Sequence, residues 1–454
     1  MEITRFAPSP TGHLHLGGAR TALFSYLFAK ANKGKFLLRF EDTDQERSKD
    51  EYVESILNSL DWMQIKIDSD PVYQSKKAMK HKELAIELYK KGFAYACDCS
   101  EEALTKMREE QIAKKQKPKY NGLNRDKDLE FTEGMVLRFK FPLEGSSKFK
   151  DLILGDIAIN NKEFDDFIIL RSDGSPTYNF CAAVDDMDMK ITTVIRGDDH
   201  ITNTLKQINV LDALGATIPS YAHLPMVLAE SGKRLSKRDG AEDILDYKKK
   251  GYLNDALVNY LVRLGWSHGE EEIFSLEKLK KIFNLEDVNS SPSKYSQELL
   301  DWYNNKYLNF LTPEDLILKV KENSEVDFNQ IDNGKLAISL LAKGAHSLHQ
   351  IAEESAYFFE EPQTKFDLLK IDSDKKILLS EFSEQLKEID FKKNQIEDFI
   401  KDFLRAKDLK FPELGKPLRV ILTGKENAPS ISELLFILGK ENSLKRIEYT
   451  LKDG

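Results

Sequence analysis

Ile3-Thr4-Arg5-Phe6-Ala7-Pro8-Ser9-Pro10-Thr11-Gly12-His13-Leu14-His15-Leu16-Gly17-Gly18 stands near the start of the chain, and its reading decides the fold. Ile3 to Ala7 reads as a short strand that runs into a Pro/Gly loop. From Ala19 to about Lys33 the spacing of Leu23, Tyr26, Leu27 and Ala31 predicts a helix, with Gly34 placed to end it. Lys35 to Phe40 then reads as a buried strand. Strand, glycine-rich loop, helix and strand make a βαβ unit. Such a unit implies a parallel sheet with its ligand site at the carboxyl ends of the strands.

The alternation continues outward. Residues 76 to 92 read as a helix ending near Gly92. The stretch 95–185 changes character: Cys97-Asp98-Cys99, a charged helical run from Glu101 to Lys117, then strand-like pieces at Met135–Phe141 and Asp166–Arg171. It reads as an insertion between two halves of the parallel sheet. Ile191 to Arg196 predicts a strand returning to that sheet, followed by a helix over Thr202–Leu214 and the apolar run Pro225–Leu228. Beyond about residue 250 the strands fade, and helices are expected at 254–264, 276–282, 314–323, 334–342 and 396–406.

A length of 454 residues predicts two to four domains. With 41% hydrophobic and 31% charged residues the chain can build a large core, which sets disorder aside. No apolar run is long enough to span a bilayer, and the first residues lack the pattern of a secretory signal, so the protein reads as cytoplasmic. Three cysteines, Cys97, Cys99 and Cys181, are too few and too odd a set for a disulfide framework. The net charge of −9 gives no global sign of nucleic acid, although a local basic face suffices to bind phosphate.

Two segments carry chemistry. Gly12, Gly17 and Gly18 lie between a strand and a helix, where backbone approaches a ligand closely and the helix N-terminus offers N–H groups to phosphate. His13 and His15, two apart, point the same way if the loop is extended, and either can donate to charge developing on a phosphate. The loop lacks the Gly-Lys-Ser/Thr ending of a P-loop and the spacing of a dinucleotide fingerprint, and alone it would equally serve as a plain turn. Far along the chain, Ser231-Gly232-Lys233-Arg234-Leu235-Ser236-Lys237-Arg238-Asp239-Gly240 packs cations between glycines. A solvated surface loop looks like this, and so does a mobile loop that follows a triphosphate.

Taken together these residues resemble the signatures of class I glutamyl-tRNA synthetases of bacterial type. Arg5 through Arg20 is similar to their first signature, with His15-Leu16-Gly17-Gly18 at the HIGH motif, whose second histidine is commonly glycine. Arg234-Leu235-Ser236-Lys237-Arg238 resembles the KMSKS loop in its glutamyl form. The resemblance implies a Rossmann-type α/β catalytic domain with a parallel sheet, an inserted α+β acceptor-binding domain and an all-α anticodon-binding region. On this chain it divides as 1–95 and 186–245 (catalytic halves), 96–185 (insertion), 246–310 (helical stem contact) and 311–454 (anticodon binding).

The same resemblance implies the site. His15 and Lys237 carry catalysis; His15, Gly17, Gly18, Asp199, His200, Leu235, Ser236 and Lys237 take ATP with Mg2+; Arg5, Ser9, Glu41, Tyr178 and Arg196 take L-glutamate. The residue types suit that substrate, since two carboxylates need fixed cations and an ammonium needs an anion. Arg5 and Arg196 sit at strand ends, where an arginine is otherwise a solvated ion-pair partner; Glu41-Asp42 would otherwise cap a helix and Tyr178 fill a core. Relatives complete a zinc site from Cys97 and Cys99 with a Cys and a His, but here those places hold Asn124 and Asp126, so structural zinc is not expected. The basic run Lys106, Arg108, Lys114, Lys115, Lys117 and Lys119 is implied to face the tRNA acceptor end. The expected partners are tRNA-Glu, with tRNA-Gln open, and the chain is expected to be a monomer. An enzyme charging tRNA-Gln alone or as well, a truncated relative acting on a modified base, and a non-catalytic RNA-binding paralogue are the other readings. About 140 residues after position 310 count against the truncated one, and intact His15 and Lys237 against the paralogue.

Overall fold

The computed structural model describes every residue except 45, 234, 236–241, 363–372 and 454. The described chain forms two compact units, Met1–Tyr247 with Leu257–Gln297, and Lys248–Ala256 with Glu298–Gly454.

In the first unit β1 (Ile3–Phe6) and β2 (Lys35–Phe40) lie parallel, Ile3 opposite Lys35 and Phe6 opposite Leu38. Helix α1 (Leu16–Ala31) joins them and buries Leu23, Phe24, Tyr26 and Leu27. It begins at Leu16, ahead of the expected Ala19, because the His15 ring caps it: Nδ1 accepts the Gly18 N–H at 3.2 Å. Gly17 and Gly18 therefore belong to the first helical turn. At the other end Lys33 takes the left-handed conformation, at φ 53°. Gly34 serves close approach instead, since a Cβ there would stand 2.1 Å from the Glu2 carbonyl oxygen.

β3 (Val72–Tyr73) extends the parallel sheet beyond β2. On the other side β9 (Thr193–Gly197) runs beside β1, held by Thr192 N–H donating to Ile3 O at 2.9 Å. Next come β10 (Ser220–Leu224), parallel to β9, and then β6 (Ser146–Asp151), which meets β10 at Asp151 and Tyr221. β6 pairs antiparallel with β7 (Gly155–Asn160) as a hairpin. The hairpin comes from the stretch read as an insertion, and it docks on the edge of the parallel sheet.

The remainder of that stretch is an antiparallel sheet, β4 (Ala94–Cys97), β5 (Val136–Phe139) and β8 (Ile168–Leu170), with α4 (Glu101–Ala113) outside it burying no residue. One apolar core, including Leu88, Phe139, Ile169, Phe180 and Leu211, ties this sheet to α3 (Ala78–Lys90), α5 (Tyr178–Asp188) and α6 (Ile201–Ala213). Helix α2 (Asp50–Trp62) follows the loop after β2.

The second unit is helical around one core that includes Leu316, Ile338, Phe382, Phe403, Leu418 and Leu435. The expected helices stand at Pro313–Asn323, Gly334–Ala342 and Lys393–Ala406. The last helical stretch, Ile431–Asp453, breaks at Gly439, where φ is 78°. No helix among the described residues is long and apolar enough to cross a membrane.

Candidate active site

The parallel strands β1, β2, β9 and β10 bring their carboxyl ends to one edge of the sheet, where α/β folds bind ligands. A cleft of about 570 Å3 opens there. It is lined by Arg5, Ser9, His15, Gly17, Gly18, Glu41, Tyr178, Arg196, Asp199, His200 and Leu235. Every candidate site residue that the structure describes thus reaches one cleft. Ser236 and Lys237 lie outside the described residues. Leu235, on one side of them, lines the cleft, and Asp243, on the other, forms a backbone bridge with His15.

The two loop histidines part company. His15 faces the cleft. His13 turns to Ser55, with Nδ1 2.9 Å from Oγ, lies 3.5 Å from the Asp243 carboxylate and packs edge-on to Tyr52. The His15 ring is committed to capping α1, while His13 is held by the groups around α2.

The charges form a buried cluster. Asp186, from α5, accepts from Arg5 Nε at 3.1 Å and from Arg39 Nη1 at 2.6 Å. The second Arg39 nitrogen, Nη2, reaches Glu41 Oε1 at 3.3 Å. Burial alone would raise the Asp186 carboxyl, but Arg39 and Arg5 outweigh it and hold it down at about 2. For Glu41 the balance reverses, and burial lifts its carboxyl above the ordinary range despite Arg39 and Arg5. Arg196 is different again. It is buried, and burial lowers its pKa. Among the described residues it makes no ion pair, and its Nη2 donates to Thr204 Oγ1 at 2.5 Å. Tyr178 Oη lies 3.1 Å from His200 Nδ1, and burial followed by Arg196 depresses the His200 pKa, leaving that ring neutral near pH 7.

Residues 3–302 match the family model for "tRNA synthetases class I (E and Q), catalytic domain", and 297–451 match "Anticodon binding domain". The chain is 44% identical to a glutamate–tRNA ligase of Nitrosospira multiformis, over 99% of this chain and 98% of that one. It is likewise 44% identical to glutamate–tRNA ligase 1 of Coxiella burnetii, over 99% of this chain and 97% of that one. A solved structure, a glutamate tRNA ligase from Elizabethkingia meningosepticum in complex with its amino acid, superposes with a TM-score of 0.90 at 31% identity, covering 100% and 99% of the two chains. The chain belongs to the class I tRNA synthetases for glutamate and glutamine.

In this synthetase the Cys97 and Cys99 region is knit by hydrogen bonds. Cys99 Sγ donates to Asn124 Oδ1 at 3.1 Å, and Cys97 Sγ contacts Tyr120 Oη at 3.5 Å. Arg138 donates to Cys97 Sγ at 3.4 Å and stacks its guanidinium 3.8 Å from the Tyr120 ring centre. Asn124 thus accepts from a thiol here. Among the described residues no three or more His, Cys, Asp or Glu groups are placed to hold a metal ion.

Sequence reasoning missed several residues in and behind the synthetase's cleft. Arg39 stands alone in the apolar run Phe36-Leu37-Leu38-Arg39-Phe40, and a lone cation in a buried strand was a usable signal. Asp186 follows Ala182-Ala183-Val184 in the same way. Arg20, within the quoted signature, also lines the cleft; its Nη1 donates to the Pro225 carbonyl at 2.7 Å, and burial pushes it down to about 10. Thr204, His223 and Asp151 carried no signal, because their meaning lies in contacts across the fold.

Proposed function

We propose that this cleft activates glutamate with ATP, and that the enzyme passes the glutamyl group to tRNA. The observation that carries the amino acid is the pairing of unlike charges at one edge. Arg196 is a buried guanidinium that makes no ion pair among the described residues, Arg5 stands beside it, and the Glu41 carboxylate lines the same cleft. A dicarboxylate with one ammonium is the complement of that set. Arg196 and Arg5 receive the carboxylates, Glu41 with Ser9 receives the ammonium, and Tyr178 fixes the substrate's orientation through its hydroxyl.

ATP lies along the first turn of α1, where His15, Gly17 and Gly18 face the cleft, with Asp199, His200 and Leu235 beyond. Ser236 and Lys237 complete the phosphate contacts. An α-carboxylate oxygen of glutamate attacks the α-phosphorus, that P–O bond forms, and the bond to pyrophosphate breaks. The tRNA terminal hydroxyl then displaces AMP. No covalent enzyme intermediate is needed, so the residues act by positioning and by stabilising charge. Mg2+ accompanies the ATP phosphates; a hard cation that favours phosphate oxygen and water fits the oxygen donors here, where Asp199 is the more exposed carboxylate. No structural zinc is assigned to Cys97 and Cys99, whose sulfur contacts are thiol hydrogen bonds. Metal analysis of protein prepared without chelator should find less than one zinc per chain.

The stretch 96–185, with its basic α4, is assigned to the acceptor end, 246–310 to the stem and 311–454 to the anticodon. The enzyme acts as a cytoplasmic monomer, with 1–95 and 186–245 forming the catalytic halves. The test is aminoacylation of purified tRNA-Glu and tRNA-Gln side by side, with pyrophosphate exchange measured with and without tRNA. Glutamate should be joined to tRNA-Glu, and exchange should need tRNA. No glutamylation of either tRNA would refute the reading.

A further inference from the structure

Behind Arg196 lies a chain of buried polar groups that belongs to neither substrate. Asp151 ends β6, His223 is in β10, and Thr204 is in α6. All three are essentially inaccessible. The Asp151 carboxylate accepts the backbone N–H of Ile153 and of Leu154, each at 2.9 Å, and of His223 at 3.0 Å. With three N–H donors upon it Asp151 is ionised and can only accept. Its 2.7 Å contact with His223 Nδ1 therefore places a proton on Nδ1.

The other ring nitrogen must then be an acceptor if the ring is neutral, and its neighbours require this. Arg196 Nε–H points to His223 Nε2 at 3.4 Å, and an arginine has only donors. Thr204 Oγ1 lies 2.8 Å from the same Nε2. Thr204 accepts from Arg196 Nη2 at 2.5 Å, so its own proton goes to Nε2 in preference to the His200 carbonyl at 3.2 Å. Every link donates in one direction, from Arg196 through Thr204 and His223 to Asp151.

We propose that Asp151, His223 and Thr204 are positioning residues for glutamate recognition: they fix one imidazole tautomer, which orients the Arg196 guanidinium toward the cleft. The relay gives the buried cation two acceptors on its inner side, and among the described residues no carboxylate makes an ion pair with it. Its positive charge remains available to the substrate. A direct ion pair, like that of Arg5 with Asp186, would hold the guanidinium as firmly but offset its charge. The relay also assigns a task to the β6–β7 hairpin, which brings Asp151 to the sheet edge.

This inference rests on Arg196 receiving a substrate carboxylate, and the experiment separates the two. Aminoacylation kinetics with tRNA-Glu are measured for Thr204→Val, Thr204→Ser, Asp151→Asn and Arg196→Ala. Thr204→Val keeps the shape and removes the hydroxyl. It should raise the glutamate KM about tenfold, or about 1.4 kcal/mol, while the ATP KM stays within about twofold and Thr204→Ser stays near wild type. Asp151→Asn, which releases the tautomer, should raise the glutamate KM in the same selective way. Equal values for Thr204→Val and Thr204→Ser, or equal rises in both KM values, would overturn the relay. A glutamate KM unmoved by Arg196→Ala would instead sink the reading of Arg196 beneath it.

Discussion

Replacing Arg39 by methionine tests the charge cluster from its centre. Arg39 is fully buried and bonds both Asp186 and Glu41. Methionine fills much the same volume, so the loss is chiefly of charge and hydrogen bonds. Removing one partner from a buried ion pair costs about 3–5 kcal/mol, because the other charge is left uncompensated. Asp186 offers an independent figure. Its carboxyl is held from the usual range down to about 2 against the opposing effect of burial, which corresponds to roughly 2–3 kcal/mol. Arg5 keeps part of this in the variant. A loss of about 3 kcal/mol follows, and for a unit of this size it lowers the melting temperature by roughly 5–10 °C. Because Asp186 has a depressed carboxyl, its stabilisation is full above the unfolded value near ~3.9 and is lost as pH falls toward about 2. With Arg39 gone the carboxyl rises, so acid unfolding of the variant should begin at a higher pH than in wild type. Calorimetry at neutral and acid pH gives both readings, and any transition belonging to the helical unit is an internal control. Melting within about 1 °C of wild type at neutral pH, where a perturbation of that kind costs well under 0.5 kcal/mol, would show that the cluster does not act as described.

Two further outcomes follow from the site. Lys237→Ala should slow tRNA-dependent pyrophosphate exchange by about a hundredfold, the scale of losing one charge-stabilising group, with unchanged melting; an unaltered rate would remove Lys237 from the chemistry. The Glu41 carboxyl is raised by burial, and ammonium binding needs it ionised, so the wild-type glutamate KM should rise as pH falls toward that raised value, while Glu41→Gln should show a high and pH-flat KM. A Glu41→Gln profile with the wild-type slope would place the titration elsewhere.

The parts of the fold read correctly in the sequence are those whose signal is local. β1, α1 and β2 follow from an apolar run, a glycine-rich loop and a helical period within forty residues. The helix start was misplaced because the cap is an imidazole, not one of the usual Ser, Thr, Asp or Asn caps. The β6–β7 hairpin was not read as strands because Ser146-Ser147-Lys148-Phe149-Lys150-Asp151 has one large apolar residue and no apolar face. Helix α5 ends in Asp185-Asp186-Met187-Asp188, which in sequence looks like a solvated end; both Asp185 and Asp186 are buried because His81, Gln74, Arg5 and Arg39 meet them from other elements. Burial of a charge is legible only when its partner is, and here the partners stand more than a hundred residues away.

That distance explains why Arg5 and Arg196 looked equivalent. Both are arginines near the end of a parallel strand, and both reach the cleft. Only the fold shows that Asp186 is shared by Arg5 and Arg39, whereas Arg196 is held by neutral acceptors. On the proposed reading, glutamate brings a side-chain carboxylate to Arg196. Glutamine carries none, and its amide would leave the Arg196 charge buried without an anion, which is a larger penalty than a change of shape alone. On that reading, selection between the two amino acids is set less by the number of hydrogen bonds in the cleft than by which of its arginines makes no ion pair among the described residues.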